Sequence, residues 1–506
     1  MNYEWWLKER TFHHSQFVDL DELIELKKRQ KLKISVCLPT LNEAKTIGRQ
    51  IKLIKRFLME ERPLVDELCV VDSGSDDRTR QIARKAGARV HLADQTLPDL
   101  TSYRGKGENL WKSLYLTEGD IMVWVDADIR NFHPRFIYGL VGPILQNPEI
   151  SYVKSFYRRP LKVGRKTIPG GGRVTELMVR PYLNLLFPDL AMMAQPLSGE
   201  YAGRRSVLER LPFFTGYGVE MGLLIDIEQR YGIQSMAQVD MDVRVHRNQS
   251  IESLRRMSYV ILSILLRRSE QLGKIALLEG VGHQLQLIKR DREGYFFDAE
   301  EVRGQERPPM LTIPAYQERY GIDRDDALLV EGYHNIGDMA KCFSQLLDES
   351  LIDLDLQGRS REEVLDEMLT LVAKSVSLHD PQEIIRGLLS REKRISTNVG
   401  HGVAIPHLVT EQVQNIYISF GRSIRGVDFR STIVRRPVHL IFLLLSPPSK
   451  ENEYLQTISC LARLLRHRKV IEDFLAVGTP GEAVALMKKY EALLNLQKQL
   501  KLQLLI

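Results

Sequence analysis

Two aspartates separated by one small residue, Asp126 and Asp128 in the run VWVDADIR, carry the clearest chemistry in the 506-residue chain. Carboxylates at i and i+2, leaving an apolar strand for a loop, can share a divalent cation that also holds a diphosphate. A hard, oxygen-rich site of this kind suits Mg2+ or Mn2+, and the cation neutralises charge on a departing nucleotide. The plain alternative is an Asp-rich turn that caps a helix. A second acidic loop, VVDSGSDDRT, offers Asp72, Ser73, Asp76 and Asp77. Part of it is expected to cap the next helix, which leaves Asp72 as the stronger ligand-binding candidate. In RGKGEN, glycines on either side of Lys106 can bring backbone and ammonium close to a diphosphate. The chain has neither GxGxxG after its first strand nor GxxxxGK[ST] in this loop, so dinucleotide and ATP readings lose ground. A second anion loop is read in TIPGGGRVTELMVRP, where three glycines open the backbone and Arg173 and Thr175 add a guanidinium and a hydroxyl. Its alternative is a Gly-rich surface turn. His246, between Arg244 and Arg247, is by itself more often structural than a ligand; its return to the diphosphate site stays open.

The elements that must position these groups follow from apolar periodicity. A strand Ile34–Leu38 stops at Pro39, and Ile47, Ile51, Ile54 and Phe57 then mark a helix. The plan repeats with a strand Glu67–Val71, a helix from about Asp77, and a strand at Arg89–Leu92; a further helix precedes the strand Ile121–Val125. Three strand-to-helix switches argue for a parallel, doubly wound α/β domain with its ligand site beyond the carboxyl ends of the strands. A chain of this length is expected to hold two or three domains. Apolar residues make up 43% and charged residues 27%, a soluble globular balance, and the apolar runs SYVILSILL and VHLIFLLL are too short to span a bilayer. The N-terminus has no signal-peptide pattern. Cys37, Cys69, Cys342 and Cys460 are scattered without ligand spacing, as in a reducing compartment, so a cytoplasmic location is expected. A net charge of +6 fits basic pockets for phosphate-bearing small molecules better than nucleic acid.

Taken together and in order, TFHHSQFVDLDELIELK, VCLPTLNEAKTIG, VVDSGSDDRT, RGKGENLWKSL, VDADIRNF, PGGGRVTELMVRP, QPLSGEYAGRR, FFTGYGVEMGLLIDI and VRVHRNQS resemble the glucosyl-3-phosphoglycerate synthases, retaining glycosyltransferases of GT-A (Rossmann-like) fold. The likeness runs from about residue 10 to ERPPM at 306–310. It implies a nucleotide-sugar pocket at Pro39, Leu41, Glu43 and Ser73, with Lys106 near the donor diphosphate and Leu197, Glu220 and Arg244 around the sugar and diphosphate. It implies metal ligation by Asp126, Asp128 and His246, and an acceptor phosphate site at Gly172, Arg173 and Thr175. The implied reaction transfers glucose from a nucleoside diphosphate, UDP favoured, to the 2-hydroxyl of 3-phosphoglycerate, on the route to glucosylglycerate. A homodimer is implied as well. Kept beside this are a related synthase with another sugar donor or glycerate acceptor, and a non-enzymatic regulatory scaffold with a sensor domain.

After ERPPM the character changes. Residues 1–325 are assigned to the GT-A domain with an N-terminal helical arm, 326–349 to a linker, 350–495 to a second α/β domain, and 496–506 to a tail. Amphipathic helices SREEVLDEMLTLVAKS and DPQEIIRGLLSREK are followed by strands around VAIP, NIYISFG and PVHLIFLLLSP, then a last helical pair. Through REKRISTNVGHGVAIPH this domain resembles the fructose/mannitol-type IIA domains of the bacterial sugar phosphotransferase system. That places His407 at the phosphoacceptor position, with Arg391 to steady the phosphoryl group and a phosphocarrier protein as the implied partner. The family often has a second histidine where this chain has Tyr454, and tyrosine cannot serve as an imidazolium; His401 is only a loop neighbour. The competing reading is a retained fold used for sensing or assembly.

Overall fold

Short apolar runs cut by polar turns become the central strands of the first of two units, Met1–Met310 and Leu311–Ile506. The structure is a computed structural model and describes residues 3–163, 166–169, 172–245, 250–272, 274–275, 281–292, 294–302, 304–322, 346–394, 396–429, 437–465 and 467–503. In the first unit the strands are β1 (Thr11–His13), β2 (Ile34–Thr40), β3 (Glu67–Asp72), β4 (Arg89–Leu92), β5 (Ile121–Trp124) and β6 (Tyr152–Arg158). They continue with the hairpin β7 (Pro160–Val163) and β8 (Lys166–Pro169), then β9 (Tyr201–Arg204), β10 (Phe213–Phe214) and β11 (Met236–Val243). Eight of them form one sheet in the order β1-β11-β6-β9-β5-β2-β3-β4. Every residue of β2 and β5 is buried, as befits strands covered by helices on both faces.

The structure corrects two expectations. The sheet is mixed, because β9 runs antiparallel to both β5 and β6. Its four residues, YAGR, are too short and too glycine-interrupted to register as a strand by pattern. Secondly, β2 does not stop at Pro39 but runs through it to Thr40. The ladder to β5 ends at Cys37↔Trp124, while that to β3 continues through Pro39↔Val71 and Thr40↔Asp72. Pro39 therefore has one strand neighbour only, a position at which a missing N–H is tolerated.

The second unit is built on a six-stranded sheet. Its central antiparallel pair is Tyr417–Val427 with Val438–Ser446, and His407–Val409 lies parallel to the latter. The two expected amphipathic helices are present as Arg361–Ser375 and Pro381–Arg394. Ser360 caps the first, accepting from the Glu363 N–H at 3.2 Å, and Asp380 accepts from the Glu383 N–H at 3.0 Å at the start of the second. The expected helix over 454–476 is divided into Glu451–Leu464 and Arg468–Ala476, and the last helix, Pro480–Gln503, reaches into the segment read as a tail. The first unit ends at Met310, earlier than the expected 325. Its final strand, Glu306–Arg307, pairs with β10. The expected linker lies, up to residue 345, outside the described residues.

Candidate active site

At the carboxyl ends of β2 and β5 the first unit holds a cavity of about 730 Å3. Pro39, Leu41, Glu43, Ser73, Lys106, Asp126, Asp128, Gly172, Arg173, Thr175, Leu197, Glu220 and Arg244 all line it. Residues more than two hundred positions apart in the chain are thus brought to one site. His246 lies outside the described residues.

The floor is a network of alternating charge. Asp126 stands just beyond β5, its Oδ1 2.6 Å from Lys106 Nζ and its Oδ2 2.9 Å from Arg244 Nη2. The same Nη2 reaches Asp128 Oδ1 at 2.8 Å, and Arg244 Nε lies 2.9 Å from Glu200 Oε1. Lys106 also contacts Glu220 Oε1 at 2.9 Å and donates to the Gly199 carbonyl at 3.2 Å. Burial alone would discharge both cations; the carboxylates reverse this and hold Lys106 and Arg244 charged, well above their ordinary values. Asp126, although buried, is kept below the usual carboxylate range by Lys106 and Arg244.

Its neighbours show the opposite tendency. Burial raises Asp128, with Arg244 opposing and Asp126 and Glu200 adding to the rise. Burial and the charge of Asp128 push Glu43 up to about 7. Carboxylates that disfavour one another's ionisation in a cavity form a site that a cation stabilises. The donors are hard oxygens, and they fit Mg2+ or Mn2+.

Glycine supplies the clearance. A Cβ at Gly199 would lie 1.8 Å from Asp126 Oδ2, so only glycine lets this backbone pass behind the carboxylate. The glycines flanking Lys106 do a different job from the one read in the sequence. A Cβ on Gly105 would meet the Thr215 carbonyl oxygen at 2.4 Å and one on Gly107 the Phe214 carbonyl oxygen at 1.7 Å. They let the helix Lys106–Leu116 start against the backbone at 214–215, which aims Lys106 inward. Farther along that helix, buried Glu108 receives two bonds from Arg307, Nε at 2.7 Å and Nη2 at 2.6 Å. Trp111 Nε1 donates to the Pro308 carbonyl at 2.8 Å. Glu200, Glu108 and Arg307 are supporting neighbours that sequence reasoning did not single out; they lie within QPLSGEYAGRR, RGKGENLWKSL and ERPPM, but only burial and pairing reveal what they hold.

Asp72 is a second correction. It is fully buried, and its carboxylate accepts from Thr40 Oγ1 at 3.0 Å, Ser75 Oγ at 2.5 Å and the N–H groups of Gly74 and Ser75 at 3.1 and 2.9 Å. With those lone pairs engaged it shapes the loop instead of meeting a ligand, and Ser73 is the loop residue that lines the cavity. Asp77 accepts from the Thr79 N–H at 2.9 Å at the start of the helix Thr79–Lys85, as expected of a capping group. Gly172, also in the cavity lining, has φ +88° with nothing closer than 4.0 Å to its would-be Cβ, so backbone conformation, not space, requires glycine there. Arg173 beside it is exposed and Thr175 is buried.

In the second unit His407 is fully buried. Its Nδ1 donates to the Ile405 carbonyl at 2.6 Å, which leaves Nε2 as the lone-pair nitrogen, buried and, among the described residues, without a partner. Burial, helped by Arg391, holds the imidazole neutral, well below the ordinary histidine value. Arg391 Nη1 donates to the His407 backbone carbonyl at 3.4 Å, a contact with the main chain that the sequence did not foresee. Tyr454 is buried with its ring centroid 6.1 Å from that of His407.

Comparison with known proteins agrees with this division. The glycosyl transferase family 2 profile matches residues 35–209. The profile of the phosphoenolpyruvate-dependent sugar phosphotransferase system EIIA 2 family matches 345–490. Glucosyl-3-phosphoglycerate synthase of Petrotoga mobilis is 50% identical over 314 residues, 62% of this chain and 96% of that protein. The fructose-specific EIIA component of Haloferax volcanii is 33% identical over 125 residues, 25% of this chain and 80% of that protein. Among solved structures, mannosyl-3-phosphoglycerate synthase from Rubrobacter xylanophilus aligns with a TM-score of 0.56 at 36% identity, covering 61% of this chain and 98% of that one. Glucosyl-3-phosphoglycerate synthase from Mycobacterium tuberculosis, in complex with Mn2+, UDP-glucose and phosphoglyceric acid, aligns with a TM-score of 0.52 at 43% identity over 60% of this chain and 97% of that one. The acidic floor, the guanidinium and ammonium that counter it, and the near-complete coverage of these relatives lead to one assignment: the chain belongs to the glucosyl-3-phosphoglycerate synthase family, with an EIIA type 2 domain following the synthase unit.

Proposed function

We propose that the first unit transfers glucose from UDP-glucose to the 2-hydroxyl of 3-phosphoglycerate with retention of configuration. The observation that carries this reading is that the Asp126–Lys106–Arg244 network and Gly172, Arg173 and Thr175 line one cavity. Pro39, Leu41, Glu43 and Ser73 hold the nucleotide, and Leu197 and Glu220 lie beside the sugar. Asp126 and Asp128 hold Mg2+ or Mn2+, which supplies neutralising charge to the diphosphate; His246 is the proposed third ligand. Lys106 and Arg244 counter the charge that develops as the bond from the anomeric carbon to the phosphate oxygen breaks. Arg173 and Thr175 hold the acceptor phosphate and so orient its hydroxyl toward the anomeric carbon. In front-face displacement the departing phosphate oxygen takes the proton of that hydroxyl, and no enzyme nucleophile is needed. Glu220, already engaged by Lys106, is available for charge balance more than for attack. Purified protein assayed with UDP-glucose or GDP-glucose, with and without Mg2+, against glycerate and 3-phosphoglycerate tests the reading; turnover of glycerate alone overturns the acceptor assignment.

For the second unit we propose phosphorylation of His407 on Nε2 by a phosphocarrier protein of the phosphotransferase system, with a regulatory outcome for the transferase. The support is the orientation of the ring, whose Nδ1–H is held by Ile405 while Nε2 keeps its lone pair. Incubation with the general phosphotransferase proteins and labelled phosphoenolpyruvate is expected to label the wild type and not H407A; an unlabelled wild type leaves the fold as a sensor. A homodimer in the cytoplasm completes the proposal. Among the described residues no helix is long and apolar enough to cross a membrane.

A further inference from the structure

A second cluster of ligand-type side chains, none of them lining the cavity, sits where β1 meets β11. His13 Nε2 lies 3.2 Å from Asp242 Oδ1 and His14 Nε2 lies 2.6 Å from Asp242 Oδ2. Neighbouring residues of an unbroken strand point to opposite faces. Here β1 ends at His13 and a 3-10 turn begins at His14, so both imidazoles converge on one carboxylate with ring centroids 4.5 Å apart. The carboxylate is brought to them by an irregularity in β11: the register against β6 shifts between Asp240 and Val243, and Asp242 has φ +63°, a left-handed conformation unusual for a residue with a side chain. Bulges of this kind re-aim a side chain.

We propose that His13, His14 and Asp242 form a binding site for a borderline divalent transition metal, Zn2+ being the best match, with water completing the coordination. Two imidazoles and one carboxylate with open positions are a donor set that Zn2+ accepts readily, whereas Mg2+ prefers an all-oxygen shell. Side-chain exposures of 42% for His13 and 38% for Asp242 give the ion a way in. In the structure His13 Nδ1 accepts from the Ser15 N–H at 3.3 Å; ligation through Nε2 moves the ring proton to Nδ1, where Ser15 Oγ, 2.7 Å away, can accept its hydrogen bond in exchange for that one. Among the described residues His14 Nδ1 is buried without a partner, so no hydrogen bond at that nitrogen opposes a shift of the ring proton from Nε2 when a cation takes its place beside Asp242. Arg135 approaches Asp242 Oδ2 only at 3.4 Å and also donates to the Val243 carbonyl at 3.3 Å, a position from which it orients the carboxylate without replacing the histidines. An ion at this place would clasp β1 to the strand that delivers Arg244, two residues after Asp242, to the cavity.

The test uses the full chain, freed of metal by chelation and then saturated with Mg2+ so that the Asp126/Asp128 site is occupied. Co2+ and then Zn2+ are titrated in, followed by visible absorption and calorimetry. The expected result is one equivalent of Co2+ with ligand-field bands of imidazole coordination, displaced by Zn2+. Uptake should persist in D126N/D128N, weaken at least about tenfold in H13Q and in H14Q, and raise the melting temperature of the wild type but not of H13Q. His13 is partly exposed at a strand end, so H13Q reports even if H14Q fails to fold. Absence of uptake, uptake undiminished in H13Q, or uptake lost in D126N/D128N overturns the proposal and leaves a hydrogen-bonded latch.

Discussion

At Asp126 and Asp128 the motif was legible, because a strand followed by DxD is a local pattern; their ion pairs with Lys106 and Arg244 were not. Lys106 and Arg244 sit on either side of them in the chain and meet them only across the sheet. D126N and D128N are each expected to lower kcat by about a hundredfold or more and to abolish Mn2+ binding at this site, as read by turnover and by spin-resonance titration. Glu43 gives a pH dependence. Its value in the folded protein, about 7, lies above that of an ordinary glutamate. The folded state thus holds more protons than the unfolded chain between those two values, and stability from this group falls as pH rises through the window. A bound cation favours the ionised form, so Mn2+ affinity should rise as pH increases through about 7. The slope should flatten in E43Q, and an unchanged slope would place the coupling elsewhere.

Among the elements, the helix Lys106–Leu116 and the turn before β9 decide whether the charges are placed correctly. G199A puts a methyl 1.8 Å from Asp126 Oδ2, and the expected outcome is loss of kcat and Mn2+ affinity comparable to D126N with circular dichroism unchanged. Arg307 supports the same helix from the far end of the unit through buried Glu108. Glu108 is also paired with buried Lys112, 3.1 Å away, so R307A removes one of two cations from a buried carboxylate and should cost about 1–3 kcal/mol in urea unfolding. E108Q/R307M/K112M, which removes all three charges, should recover part of that loss. Strand and helix existence was readable from periodicity here, whereas β9 was not, since its place between β5 and β6 depends on partners and not on its own four residues.

At the scale of the whole molecule, two families meet in one chain, and the synthase unit corresponds to nearly the full length of its relatives. A protein ending at residue 325 is therefore expected to retain at least half of the glucosyl transfer activity. A truncated protein that folds by circular dichroism but does not turn over would show that the second unit contributes to catalysis. In R173A the KM for 3-phosphoglycerate should rise by about tenfold or more while that for UDP-glucose holds, the outcome expected from the proposed acceptor-phosphate contact of this guanidinium.

By itself the sequence marked the change of character after ERPPM, the acidic strand end, the glycine run before Arg173 and the histidine after Pro406, because each is a short-range pattern of residue types. Only the tertiary structure decided that Asp72 is walled in by its own loop, that Glu200 holds Arg244, that Gly107 serves packing, and that Asp242 turns toward His13 and His14. Hydrogen-bond satisfaction and burial are properties of the neighbours a residue acquires on folding, and those neighbours lie far away along the chain.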